Sequence, residues 1–443
     1  MLHECASASH NGHVKLLHTC LVPICALAFA AASGLASAQT WQVRPDGPDS
    51  EKLGQAAAYP TCAAALTRPE CRVGTWSASD KVARSAIVHA APEPWALPHA
   101  QKPPEISYRW GFFNKSIDDF MADTKTTGLL VIKDGQIVLE RYQYDRQPSM
   151  RFRSFSMAKT VTSMLVGIAL RKGMIKSLDD KAADYWPEIA PSAYGQTTIR
   201  NLLRMASGVA FRELYTWTSD DDSWAWARVL YLPANRRQPE KVVQYLNSKT
   251  EHQAEQGTRF QYASIETEIL GRVLRMATGQ SVAQLTEDWL WKPMGAQSEA
   301  RWLLASTDDV ESTGGGFNAT LRDYGRLGML LANDGVRDGV EIVPKDYLLD
   351  ATDASRQPPA FKPRSATPYM GYGYQTWILP GNERSFALQG IHGQNIFVQP
   401  KSGIVMVQTS VNDQPSGRQD VLPYRHRDAL WQGVLRSLGG VTD

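Results

Sequence analysis

The chain has 443 residues, enough to bury a sizeable core in one large domain or two. Its hydrophobic content of 43% and charged content of 21% are those of a globular protein, which excludes a disordered or fibrous one. A formal charge of +2, with no basic run and no aromatic–basic stripe, argues against nucleic acid or any other polyanionic partner.

The first segment reads as a leader. Residues 16–35 are apolar and small, and Ala36-Ser37-Ala38 before Gln39 is an A-x-A cleavage pattern. Residues 1–38 are expected to be a signal peptide, and the product to be exported, periplasmic or secreted. Lys15 is the only charged base of a weak n-region. Translation from Val14 is therefore a further expectation, refuted if disabling Met1 abolishes expression. No later stretch is long and apolar enough to span a membrane, so no stable span is expected after cleavage. Three of the five cysteines lie in the leader, which leaves Cys62 and Cys71. Two cysteines close in sequence in an exported chain suggest one local disulfide. Neither has the histidine neighbours of a zinc site, and no metal or cofactor is expected.

Residues 39–104 are rich in Pro, Ala and Gly and weakly periodic; they read as an extended segment wrapping the main domain. Residues 114–123 read as a helix. Two apolar runs, 128–133 and 136–142, flank Asp134-Gly135 and predict a hairpin. Residues 178–309 are mostly helical, with an acidic and aromatic loop over 213–224. Gly314-Gly315-Gly316 is a turn before a helix over 321–332. Strands follow over 372–378, 385–389, 395–399 and 403–410, then a helix over 422–438. Early strands, a helical middle and late strands predict one antiparallel sheet built from both chain ends with a helical lobe inserted. The expected units are 105–180 with 310–443 for the sheet and 181–309 for the lobe.

Chemistry concentrates at Ser156-Met157-Ala158-Lys159, the only Ser-x-x-Lys in the chain. A serine hydroxyl needs a base within reach, and helix positions i and i+3 share a face. Apolar Met157, Val161, Met164, Leu165 and Ile168 make the helix a buried one, where a lysine should lose proton affinity and become a better base. The plain alternative is an N-cap serine and a solvated first-turn lysine.

Three more motifs follow in order: Tyr262-Ala263-Ser264 before a helix, the glycine turn leading to Asn318, and Gly390-Ile391-His392-Gly393 on a late strand. Over about residues 107–440 the chain resembles the serine β-lactamase and penicillin-recognising superfamily. Within its class C-like branch it looks most like the 6-aminohexanoate-dimer hydrolases and related carboxylesterases. The resemblance implies a β-lactamase-like α/β (α+β) fold, a central antiparallel sheet flanked by helices. It implies Ser156 as nucleophile forming an acyl-enzyme, with Lys159 and Tyr262 as the proton carriers. The N–H groups of Ser156 and Ile391 would form the oxyanion hole. Tyr215, Asp222, Ser264, Asn318, His392 and Gly393 are the candidates for holding substrate. His392 also invites a Ser-His-Asp reading, but no Gly-x-Ser-x-Gly elbow surrounds Ser156.

Penicillin-recognising enzymes usually carry a lysine on the third-motif strand to grip a substrate carboxylate, and an asparagine closing the second motif. Here these are Gly-Ile-His-Gly and Ser264. The expected substrate is therefore a small ester or linear amide rather than a β-lactam. A β-lactamase or D-Ala-D-Ala peptidase is the alternative within the same chemistry, and a catalytically silent binding protein the alternative outside it. Oligomeric state is not legible.

Overall fold

A computed structural model describes residues 41–231 and 237–442. The leader, including the expected signal peptide and the Val14 start, lies outside the described residues.

An eight-stranded sheet runs in the order Gln42–Val43, Gln136–Tyr142, Thr126–Lys133, Ile404–Ser410, Gln394–Gln399, Phe386–Gly390, Trp377–Ile378, Gly371–Tyr372. All neighbours pair antiparallel except Gln42–Val43, which pairs parallel with Arg141 and Tyr142. Both chain ends thus build one sheet. Asp134 and Gly135 turn the hairpin with φ of 48° and 79°, the left-handed pair that a two-residue turn requires. Alternation assigns the faces. Leu129 and Val131 meet Phe120, Leu430, Trp431 and Val434 of the Ile117–Asp123 and Leu422–Ser437 helices. Leu130 and Ile132 meet the opposite layer, which includes Leu327 and Leu330 of the Leu321–Ala332 helix. Because both faces are covered, the central strands are apolar at nearly every position instead of every second one.

The same apolar core continues from the sheet into the helices of residues 181–309. The Ala158–Arg171 helix runs through it with residues 158–169 buried. A helix apolar all round is stable only inside such a layer, where each fully buried Leu or Val contributes about 1.5–3 kcal/mol.

Local readings differ in three places. Residues 113–116 are a strand paired with Ser107–Trp110, and the helix begins only at Ile117, capped by Ser116. Residues 371–378 are two short strands paired with each other. A second sheet, in the order Ser85–Val88, Ala300–Leu303, Phe317–Thr320, Arg151–Arg153, joins strands too short to carry a periodic signal. Residues 41–104 place one strand in each sheet and are stapled by a Cys62–Cys71 disulfide.

Candidate active site

The Arg151–Arg153 strand leaves the small sheet directly into a tight turn over Phe155–Met157, and the Ala158–Arg171 helix follows. The Ser154 N–H donates to Phe317 O at 2.8 Å, which fixes the start of the turn. Phe155 sits at φ +44°, a left-handed conformation that costs a non-glycine residue on the order of 1–3 kcal/mol. Packing offsets it: the Trp76 ring meets Phe155 edge-on at 5.0 Å, and the Arg153 guanidinium lies 4.5 Å over the ring. The result is exposure of one residue. Across 154–160 only Ser156 keeps part of its surface in solvent.

Lys159 is 1% exposed. Its Nζ lies 2.9 Å from Ser156 Oγ and donates to Gly314 O at 2.5 Å. Burial pulls its pKa down to about 8, against the opposing pull of Glu213 and Glu268. A neutral amine here still donates to Gly314 O and has a lone pair for the serine proton. Gly314 is held from its other side, where its N–H donates to Glu268 Oε1 at 3.0 Å. A Cβ at Gly314 would approach that carboxylate to 3.1 Å, so the glycine turn is what brings a carbonyl to the lysine.

Tyr262 stands 5.2 Å from Lys159 Nζ, measured to its ring centre, and stacks on Trp377 at 5.6 Å. Burial and the nearby Glu213 charge hold its phenol well above the usual range, while a hydrogen bond with Ser156 pulls the other way. Glu213 organises this side. It accepts from Tyr215 Oη at 2.5 Å, from Ser264 Oγ at 2.6 Å and from Ser264 N at 2.5 Å. The loop carrying it is folded around buried Asp221, which accepts from the N–H groups of Thr216 and Ser223 at 2.9 and 3.0 Å. In the sequence Glu213 was one acid among several in that loop; no local pattern marks it as the partner of the second motif.

The third-motif strand crosses the nucleophile turn at close range. A Cβ at Gly390 would meet Ser154 O at 2.3 Å and Ser156 N at 3.1 Å, so only glycine permits the crossing. Ile391 follows Gly390 in the chain and packs against the cluster that contains Phe155.

Ser156, Lys159, Tyr262, Ser264, Tyr215 and Ile391 come together. Four other candidates are placed differently. His392 is 3% exposed and lies behind the turn, 4.7 Å from Trp76 and 5.8 Å from Phe155 by ring centres. Its Nδ1–H donates to Asn412 O at 2.7 Å, and burial pushes its pKa down to about 4. It is neither a wall of the site nor paired with a carboxylate, because φ of +61° at this residue turns its side chain out of the strand alternation. Gly393, at φ +92°, turns the chain against Asn412 and Ser410. Asn318 spends its amide on Gly316 O at 2.8 Å and steadies the glycine turn. Asp222 accepts from Arg212 N at 2.8 Å and faces Lys249 at 3.6 Å, a structural role at the start of the Asp222–Leu230 helix. Ser264 reaches the site with its hydroxyl already committed to Glu213.

Among the described residues no group of three or more His, Cys, Asp and Glu is arranged to hold a metal ion, and no helix is long and apolar enough to cross a membrane.

Known proteins share this architecture. The sequence profile of the beta-lactamase family matches residues 113–430. A 6-aminohexanoate-dimer hydrolase of Paenarthrobacter ureafaciens is 25% identical over 336 residues, covering 74% of this chain and 81% of that protein. A solved structure of a candidate 6-aminohexanoate-dimer hydrolase from Bacillus anthracis superposes with a TM-score of 0.73 at 23% identity, over 85% of this chain and 97% of that one. A family VIII carboxylesterase superposes with a TM-score of 0.51 at 18% identity, over 70% and 93%. Identities this low in the solved structures speak for the fold alone, whereas the profile spans the nucleophile turn, the tyrosine motif and the third-motif strand together. The chain belongs to the beta-lactamase family.

Proposed function

We propose that this protein is an exported serine hydrolase that cleaves esters or linear amides through an acyl-enzyme on Ser156. The observation that carries the reading is the buried Lys159 amine, 2.9 Å from Ser156 Oγ with a pKa of about 8. At pH 7 roughly a tenth of it is neutral and able to accept a proton. Tyr262 stays a phenol at that pH, which fits it to pass a proton from the lysine side to the leaving group rather than to act as the resting base.

In the forward half-reaction Ser156 Oγ bonds to the carbonyl carbon as its proton moves to Lys159. The carbonyl oxygen becomes an oxyanion facing the Ser156 and Ile391 N–H groups. Its collapse breaks the bond to the alcohol or amine, which takes a proton through Tyr262. Water then repeats the sequence on the ester of Ser156 and releases the acid. The 6-aminohexanoate-dimer hydrolase relative supports linear amides as substrates, and the carboxylesterase fold neighbour is consistent with esters. Two observations speak against a β-lactam: the third-motif strand has no lysine, and Ser264 is committed to Glu213. Export is supported by the leader pattern and by the Cys62–Cys71 disulfide, which persists in oxidising compartments.

The test is fluorophosphonate labelling with mass spectrometry on the wild type, Ser156→Ala and Lys159→Ala. It is paired with rates on a nitrophenyl ester, a linear aminohexanoyl amide and nitrocefin. The expected adduct is on Ser156, and the expected order of rates is ester, amide, nitrocefin. An adduct on another serine overturns the mechanism, and nitrocefin turning over fastest overturns the substrate class. Export is checked by fractionating cells: the mature chain should begin at Gln39 outside the cytoplasm.

A further inference from the structure

We propose that Glu268 is a positioning residue for acylation: its carboxylate sets the glycine turn that receives Lys159, and its charge faces the amine across that turn. This rests on the Ser156 acyl-enzyme reading and adds a residue to it.

Glu268 lies one turn beyond Ser264 on the Ser264–Thr278 helix and is 3% exposed. Its Oε1 accepts from Ser312 Oγ and from Gly314 N–H, each at 3.0 Å. Its Oε2 accepts from Thr313 N–H at 3.3 Å and faces Arg272 Nη1 at 3.5 Å. One carboxylate thus gathers three consecutive residues, and the carbonyl of the last is the one that Lys159 meets from the other side. A Cβ on Gly314 would lie 3.1 Å from Glu268 Oε1 and 3.6 Å from Lys159 Nζ, so carboxylate and amine flank a single residue. Lys159 gives its hydrogen bonds to Ser156 Oγ and Gly314 O, and among the described residues it forms no direct ion pair with Glu268.

That separation has a chemical consequence. A nearby negative charge favours the protonated amine, and burial favours the neutral one. A direct ion pair would hold the proton on the lysine; a carboxylate one residue away only tempers the effect of burial. Glu213 acts in the same sense from the tyrosine side, and more strongly. The other ionisable groups facing the pair are Tyr262 over Lys159, Arg272 beside Glu268, and Tyr231, whose hydroxyl donates to Ser312 Oγ at 2.8 Å. Burial raises the proton affinity of Glu268 itself, and Arg272, held at 2.7 Å by Asp308, opposes that. A carboxylate that merely braced the turn would leave the titration of Lys159 unchanged when its charge is removed.

The experiment follows kcat/KM on a nitrophenyl ester against pH. In parallel it titrates Lys159 by NMR of the side-chain nitrogens in 15N-lysine-labelled protein, with the signal assigned by its loss in Lys159→Met. Glu268→Gln keeps an oxygen for Ser312 and Gly314 and removes the charge. The Lys159 midpoint and the inflection of the rate profile should both fall by about one pH unit from the wild-type value of about 8. Glu268→Ala removes the anchor of the turn as well, and the plateau of kcat/KM should drop about 10^2-fold. Glu268→Asp keeps the charge and draws it back from Gly314: its midpoint should lie nearer the wild type than that of Glu268→Gln, with a plateau reduced several-fold. An unmoved midpoint in Glu268→Gln, or a wild-type plateau in Glu268→Ala, overturns the proposal. The NMR arm needs no turnover, so a midpoint that falls in Glu268→Gln upholds the charge effect even where Ser156 forms no acyl-enzyme. Acylation of Ser156 with a midpoint indifferent to Glu268 sinks this inference and leaves the hydrolase reading standing. Where Glu268→Gln fails to fold, Glu268→Asp carries both arms, and a wild-type plateau there overturns the proposal.

Discussion

Two buried bases flank the same turn and have opposite fates. Lys159 lies buried within reach of Ser156 Oγ, and His392 lies behind the turn, against Trp76 and Phe155. Burial is the leading cause of the shift in both, and it favours the neutral form in both. The starting points differ. Burial brings a lysine down from 10.5 to about 8, where the neutral base is present at physiological pH and still has an appetite for a proton. The same effect takes a histidine from 6.5 to about 4, where it is permanently neutral and too weak to help. One desolvation thus suits one residue to the proposed base and makes packing of the other. The geometry agrees: the lysine reaches Ser156 Oγ, and the histidine is tied to a backbone carbonyl.

The comparison can be broken at its strongest point first. Lys159→Met should lower kcat/KM on a nitrophenyl ester by about 10^3-fold or more, as loss of the nucleophile's base does elsewhere. It should also raise the melting temperature at pH 7. The sign follows from linkage: the folded pKa of about 8 lies below the unfolded 10.5, so the cost of burying the ammonium is fully present below pH 8 and disappears as pH rises through 10.5. In the wild type kcat/KM should climb with pH and level off above about 8. A thermal melt and a pH–rate profile check both, and a variant that is less active but also less stable contradicts the burial argument.

Tyr262→Phe sharpens the proton path. We expect a loss of about 10^2–10^3-fold on a linear amide, whose amine must be protonated to leave. The loss should be smaller on a nitrophenyl ester, whose leaving group needs no proton. Equal losses on both substrates would place Tyr262 on the serine side of the reaction.

Trp76→Ala probes the rear of the turn. It should destabilise the protein by about 3–5 kcal/mol through the cavity left against Phe155 and His392, read from denaturant unfolding. It should also lower kcat, because Phe155 loses the packing that holds it at positive φ. The smallest effect is expected of His392→Gln: less than about tenfold in kcat, with the inflection near pH 8 unmoved. Disappearance of an inflection below pH 7 would instead make His392 the base and reverse the comparison.

Legibility follows the range of the forces involved. Ser156 and Lys159 could be read because helix geometry alone places i beside i+3. The Asp134-Gly135 hairpin could be read because two left-handed residues leave few alternatives. Tyr262 was reached through motif order rather than physics. The 213–224 loop is not legible in this way: Asp222 is an expected substrate residue, yet Glu213 faces the site, because Asp221 gathers the loop's N–H groups inward and leaves Asp222 to Arg212 and Lys249. Nor is His392, since one left-handed residue ends the alternation that defines a strand's faces.

By itself the sequence determined the sheet built from both chain ends, the apolar helix that carries Lys159, and the pairing of a serine with a lysine, since each depends on neighbours within a few positions or on simple periodicity. Tertiary structure alone decided which carbonyl holds Lys159, which acid faces Tyr262 and where His392 points. Those depend on contacts between segments tens to hundreds of residues apart, and no local pattern of residue types encodes such distances.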